Sequence, residues 1–74
     1  MASHATGPIE ITFNDAPRAV PPGCTVASLL DLEGLAGRRV AVEVNREIVP
    51  RSAHGTHLLQ AGDRVEVVHA LGGG

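Results

Sequence analysis

Hydrophobic and polar residues alternate in three stretches of the chain, and each alternation predicts a β-strand. The stretches are Ile9–Phe13, Val40–Val44 and Val65–Leu71. Successive side chains of a strand point to opposite faces of a sheet, so every second residue is predicted to face the core. In the last stretch the inward residues are Val65, Val67 and His69. Val68 and Ala70 then point outward.

Turn residues next to these stretches predict two shorter strands. Asn14–Pro17 has the composition of a turn, so residues 18–20 are expected to return as a strand that Pro21 and Pro22 end. Asn45-Arg46 is a second tight turn, followed by a brief strand over residues 47–49. Residues 51–60 are predicted to form a loop with some local turn of helix, and residues 61–63 turn into the last strand.

One helix is predicted between the two halves of the sheet. Thr25 is a good N-cap residue, and the hydrophobic residues Val26, Leu29 and Leu30 follow at helical spacing. Gly34 is suited to the left-handed conformation that ends a helix. The helix has only about two to three turns, so it requires packing on the sheet to persist.

The order of hairpin, helix and further strands predicts an α+β fold. A single helix across a mixed sheet of four to five strands buries one apolar face of each, which is the β-grasp, ubiquitin-like roll when the last strand pairs beside the first. The predicted domain spans residues 9–71. Residues 1–8 are expected to be an unstructured lead, and residues 72–74 a flexible glycine tail.

Composition narrows the classes of function. The 74 residues allow one domain, and 43% hydrophobic content with a net charge of −2 indicates a globular chain. Basic clusters and aromatic stacking platforms are missing, which argues against nucleic acid. No apolar run approaches the roughly 20 residues of a membrane span, and no signal peptide is apparent. A single cysteine favours a reducing cytoplasm.

The glycine tail is the strongest candidate for chemistry. Gly72, Gly73 and Gly74 directly follow the last predicted strand, and glycines lack the Cβ that would block a narrow channel. They therefore present the Gly74 carboxylate as a group that another enzyme can modify. A frayed terminus is the alternative interpretation.

A small apolar patch is predicted beside the tail. Its members are Val68, Ala70 and Leu71 of the last stretch, with Ala41 on an adjacent strand. A patch in this position would dock a partner enzyme and direct the tail into its active site.

The remaining polar candidates are weaker. Cys24 is interpreted as a small buried hydrophobic residue, and His54 and His57 as solvated loop residues, since two ligands do not make a zinc site. His69 is expected to be partly buried, and Arg51 and Arg64 are candidates for contact with an acidic partner. No catalytic constellation is found, so the chain is predicted not to be an enzyme.

These residues together resemble the ThiS family of thiamine-biosynthesis sulfur carriers, from Ile9 to Gly74. The most specific matching segment is Asn45–Arg51. The others are Phe13-Asn14-Asp15, Thr25-Val26 with Leu29-Leu30, Gly62-Asp63 and the terminal glycines.

The resemblance implies a mechanism. An E1-like adenylyltransferase of the ThiF type uses ATP to adenylate the Gly74 carboxylate. A persulfide, supplied by a cysteine desulfurase or sulfurtransferase, then converts it to a thiocarboxylate. A ThiG-like thiazole synthase takes the sulfur. The resemblance implies no cofactor bound to the carrier itself.

Two alternatives stay open. One is a sulfur carrier for molybdopterin or cysteine biosynthesis. The molybdopterin type tends to bear aromatic or proline residues before its glycines, and Val67–Leu71 has neither. The other is a ubiquitin-like interaction module whose tail is never activated.

Overall fold

A computed structural model describes residues 7–69 as a five-stranded sheet and one helix. The strands are β1 (Ile9–Phe13), β2 (Ala16–Val20), β3 (Val40–Val44), β4 (Glu47–Val49) and β5 (Arg64–His69). Helix α1 spans Val26–Leu32, and a 3₁₀ turn spans Arg51–Ala53. Residues 1–6 of the predicted lead, and Ala70, Leu71 and the three final glycines, lie outside the described residues.

The sheet has the order β2-β1-β5-β3-β4, which is the mixed arrangement of the predicted β-grasp fold. β5 runs parallel to β1 and antiparallel to β3. The last strand therefore lies in the middle of the sheet, held on both sides. The fold class predicted from element order is confirmed, with five strands.

The core is aliphatic and lies between α1 and one face of the sheet. Buried residues come from every strand and from the helix, as the alternation predicts: Ile11, Phe13, Val20, Val26, Leu29, Leu30, Val42, Val44, Val49, Val65 and Val67. Cys24 and Leu59 complete the set. Aliphatic burial is the main favourable term for so small a domain.

Both ends of the seven-residue helix are capped. The Thr25 hydroxyl accepts from the Ser28 amide at 3.1 Å, as the predicted N-cap should. At the other end Gly34 has φ +76°, and the Leu35 amide donates to the Leu30 carbonyl at 2.7 Å. This is the Schellman motif that the sequence indicated with Gly34.

The loop after β4 satisfies the other amides of the first helical turn. The Val26 amide donates to the His57 carbonyl at 3.0 Å, and the Ala27 amide to the His54 carbonyl at 2.8 Å. A short helix leaves its first amides without intrahelical partners. The helix and this loop therefore stabilise each other, which explains why so short a helix persists.

The first hairpin is tighter than predicted. β2 begins at Ala16 and not at Arg18, so the turn is only Asn14-Asp15, with φ of +50° and +70°. Two successive residues of positive φ fit the right-handed twist of a two-residue hairpin. Pro17 is accommodated because β2 is an edge strand. The Asn45-Arg46 turn, with φ of +53° and +72°, has the same form and is as predicted.

Within residues 7–69, no helix combines the length and apolar character needed to cross a membrane.

Candidate functional site

The described part of β5 ends at His69, next to the start of β3. Val40 pairs with His69, and Ala41 pairs with Val68. Directly opposed residues on antiparallel strands point to the same face, so Ala41 and Val68 are neighbours on the face of the sheet away from α1. Both side chains are exposed, Val68 at 62%. The predicted pair is therefore adjacent, while Ala70 and Leu71 lie outside the described residues.

Ile48 is a further exposed apolar residue on this face of the sheet and was not singled out from the sequence. Its side chain is 71% exposed, the largest exposure among the big hydrophobic residues described. It pairs with Glu43, two residues along β3 from Ala41, on the same outer face. Alternation around the buried Val49 was the signal that placed Ile48 outward. We call Ala41, Ile48 and Val68 the apolar patch.

Asn14 holds the free edge of β5 where β1 has already turned away. Its side-chain amide donates to the Val67 carbonyl at 3.1 Å, and its oxygen accepts from the Val67 amide at 2.8 Å. These two hydrogen bonds replace the strand pairing that β1 no longer supplies. The strand that leads to the glycines is therefore fixed on both edges as far as Val67.

Two of the histidine interpretations are wrong. His54 is buried, with 8% exposure, and its Nε2–H donates to the Val49 carbonyl at 3.1 Å. The 3₁₀ turn folds this side chain against the sheet, which sequence spacing does not reveal. His69 is exposed, because the core ends before the last residue pair of β5 and β3.

Metal binding has no support among the described residues. No group of three His, Cys, Asp or Glu side chains in residues 7–69 is placed to hold an ion. His57 is half-buried, and its spacing to His54 does not create a ligand pair because His54 faces inward.

Cys24 is a core residue, as interpreted. It is 3% exposed, and burial raises the pKa of its thiol. A thiol that is buried and resists ionisation is a poor nucleophile. It lies before α1 and its amide donates to Pro21, away from the end of β5.

The two arginine candidates differ. Arg64 forms ion pairs with Asp15 and Glu66, both at 3.3 Å, at the start of β5. Arg51 is exposed on the 3₁₀ turn and lies in no ion pair with a carboxylate of residues 7–69. The Arg64 guanidinium is therefore paired within the domain, whereas the Arg51 guanidinium is paired with no carboxylate of residues 7–69 and is the better candidate for binding an acidic partner.

Relatives of known name match most of the chain. A 66-residue segment is 32% identical to the sulfur carrier protein ThiS of Escherichia coli K12, covering 89% of this chain and all of that one. The same length is 41% identical to a thiazole synthase of Magnetococcus marinus. There the match spans only 20% of the relative, so this chain corresponds to about a fifth of that protein.

A solved structure has the same fold. The thiamine biosynthesis protein ThiS of Geobacter metallireducens superposes with a TM-score of 0.77 at 32% identity, covering 89% of this chain and all of that one. The model of the ThiS family matches residues 10–74, from β1 to the last glycine. Sequence, fold and family model agree, and the chain belongs to the ThiS family.

Proposed function

We propose that the chain is the sulfur carrier of thiamine thiazole biosynthesis and acts through the carboxylate of Gly74. It is a stoichiometric substrate of its partners and contributes no catalytic group. The partners are an E1-like adenylyltransferase (ThiF-like), a persulfide donor such as a cysteine desulfurase or sulfurtransferase, and a thiazole synthase (ThiG-like). ATP is consumed by the activating partner.

The observation that carries the proposal is the family match through residue 74 together with a fixed β5. The match includes the glycines. β5 is paired with β1 and β3, and Asn14 brackets Val67. A fixed strand that leads, after Ala70 and Leu71, to three residues without side chains supports presentation of Gly74 at a distance from the domain.

The chemistry proceeds in three steps. The Gly74 carboxylate attacks the α-phosphorus of ATP and displaces pyrophosphate, forming an acyl adenylate. The terminal sulfur of a persulfide attacks the carbonyl carbon and displaces AMP, leaving an acyl disulfide. A thiol then attacks the inner sulfur, which belongs to the donor's cysteine, and forms a disulfide with it, so the electron pair of the broken S–S bond remains on the thiocarboxylate sulfur. None of these steps requires a side chain of the carrier.

The apolar patch is proposed to dock the activating enzyme. Ala41 and Val68 are adjacent, and Val68 lies two residues before Ala70 on the strand that leads to the tail. An exposed apolar surface next to the reactive end supports a partner that binds the domain surface and, at the same time, takes the tail into its active site. Ala70 and Leu71 extend the proposed contact. Gly72 and Gly73 pass through the narrow channel of the partner that leads to its active site.

Mass spectrometry of the intact protein from its own organism tests the proposal. We expect a fraction in which one oxygen is replaced by sulfur, with fragment ions locating the change at Gly74. Oxidation of Met1 or Cys24 adds nearly the same mass, so localisation is the essential control.

Two results would contradict the proposal. One is a chain that never acquires sulfur in cells that make thiamine, which is the outcome for an inert interaction module. The other is a protein lacking Gly73 and Gly74 that still restores thiazole formation in a strain dependent on this chain. If Gly74 carries sulfur in cells that do not need this protein for thiamine synthesis, the result would instead favour the molybdopterin or cysteine pathway.

A further inference from the structure

A groove with three arginines lies where α1, the start of β3 and the 3₁₀ turn meet. Its volume is about 620 Å³, within the usual range for binding pockets. The inner wall is aliphatic, from Leu30, Leu35 and Val40. The charged lining residues are Arg38, Arg39 and Arg51. We call this the arginine groove.

Charge in the groove is of one sign. Half of the chain's six basic residues line it, and no Asp or Glu does, although the chain carries eight acidic residues and a net charge of −2. The ion pairs of residues 7–69 involve only Arg18 and Arg64. Three like charges in one concave surface repel one another, so fold stability does not explain their grouping.

The groove is formed before any ligand binds. The buried His54 ring bonds to the Val49 carbonyl, and the His54 backbone amide bonds to the Arg51 carbonyl at 3.1 Å. The His54 carbonyl in turn accepts from Ala27 of α1. The turn that carries Arg51 is therefore fixed to β4 and to α1, which lowers the ordering cost of binding.

The groove lies at the end of β5 from which the chain continues to the glycines. Val40 lines the groove and pairs with His69, the last described residue of β5. The next residue of β3, Ala41, belongs to the apolar patch on the outer face. A partner that receives the tail therefore lies close to both the apolar patch and the arginine groove.

We propose that the arginine groove docks an acidic segment of the adenylating partner, whose Asp or Glu carboxylates bind Arg38, Arg39 and Arg51. Guanidinium groups bind carboxylates through two parallel hydrogen bonds, and the aliphatic wall fits the carbon chains of such side chains. The groove thereby sets the orientation of the domain as the tail enters the active site. This inference rests on the proposed function.

Adenylation kinetics with the purified partner enzyme test the inference. Arg38→Gln, Arg39→Gln and Arg51→Gln remove charge at exposed positions, singly and together. We expect each substitution to raise KM roughly threefold, and the triple variant to raise it at least about tenfold with kcat unchanged. The fall of kcat/KM with added salt should be shallower for the triple variant, because fewer charges are screened.

Arg46→Gln is the matched control. Arg46 is an exposed arginine at the opposite end of β3, in the turn before β4. We expect wild-type kinetics and a wild-type salt response from it. Thermal unfolding of every variant verifies that the fold is retained.

Several outcomes would overturn the inference. A folded triple variant with wild-type KM and salt response would do so, as would an equal effect of Arg46→Gln. A decrease in kcat with KM unchanged would indicate that the arginines bind the phosphates of the nucleotide and not a docking segment of the partner. In each case sulfur on Gly74 of the wild-type chain would leave the proposed function intact.

Discussion

The two ends of β5 differ in their surroundings. Polar side chains at the start of the strand bond to one another and to the backbone, whereas exposed apolar side chains and cationic side chains unpaired among the described residues surround the other end. At the start of β5, Asn45, Asp63 and Arg64 are joined by hydrogen bonds, and along one edge Asn14 bonds to Val67. We call these four residues the brace. Asn45 donates to Asp63 at 3.0 Å and accepts from the Arg64 amide at 2.9 Å. At the other end lie the apolar patch and the arginine groove, whose side chains make no ion pair within residues 7–69.

The comparison separates residues that maintain the fold from residues proposed to bind partners. Of the motifs that carried the family resemblance, Phe13-Asn14-Asp15 and Gly62-Asp63 lie in or beside the brace. The segment Asn45–Arg51 begins in the brace but also contains Ile48 of the apolar patch and Arg51 of the arginine groove. Asn14 and Asn45 combine a positive φ with side-chain hydrogen bonds to β5 or its neighbours, a combination that few residue types allow. A single motif can therefore combine residues that maintain the fold with residues that are proposed to bind partners.

The largest effect on stability is expected at Asn14. Asn14→Ala removes both hydrogen bonds to Val67 and places alanine at φ +50°. We expect the free energy of unfolding to fall by about 2–3 kcal/mol, measured by urea denaturation. The folded fraction should still be adenylated at a normal rate.

Asn14→Gly is the control for backbone strain. It loses the same hydrogen bonds but tolerates the positive φ, so it should be more stable than Asn14→Ala by about 1 kcal/mol. Equal stability of wild type and Asn14→Ala would show that Asn14 does not hold β5.

At the other end, Val68→Arg should impair activation without unfolding the domain. A charged side chain at the centre of the proposed contact is expected to lower kcat/KM for adenylation at least about tenfold. Stability should change by less than about 0.5 kcal/mol, since Val68 is 62% exposed.

Leu32→Arg is the matched control for Val68→Arg. Leu32 is 61% exposed at the end of α1, on the other side of the sheet. Its substitution should leave adenylation unchanged. If Val68→Arg changed neither folding nor adenylation, the apolar patch would have no role.

A smaller effect is expected at Arg64, within the brace. Arg64→Gln breaks the exposed ion pairs with Asp15 and Glu66 but keeps the backbone amide bond to Asn45. Surface pairs contribute little, so we expect a loss below about 1 kcal/mol that shrinks with added salt. A large loss in adenylation would move Arg64 into the docking surface.

The smallest effect is expected at Cys24, and only in alkali. Burial raises the pKa of the folded thiol above its ordinary value of 9.0, so the unfolded chain loses its proton first as the pH rises. The contribution to stability is therefore complete below that value and is lost as the pH rises toward the folded pKa.

Cys24→Ala tests this pH dependence. Its urea unfolding should lack the alkaline component, and Gly74 should still acquire sulfur. A Cys24→Ala chain that no longer accepts sulfur would assign the thiol a chemical role.

Local pattern was enough to determine the elements of this fold. Alternation set the faces of β1, β3 and most of β5, Thr25 set the start of α1, and Gly34 its end, because strand and helix periodicity and capping depend on neighbours in sequence. The resemblance to ThiS carriers followed from motifs read along the chain.

Only the tertiary structure decided which distant residues meet. It buried His54 through a turn that packs on the sheet and exposed His69 where the core ends. It also brought Arg51 beside Arg38 and Arg39. These outcomes depend on contacts between segments far apart in the chain, which no periodicity encodes.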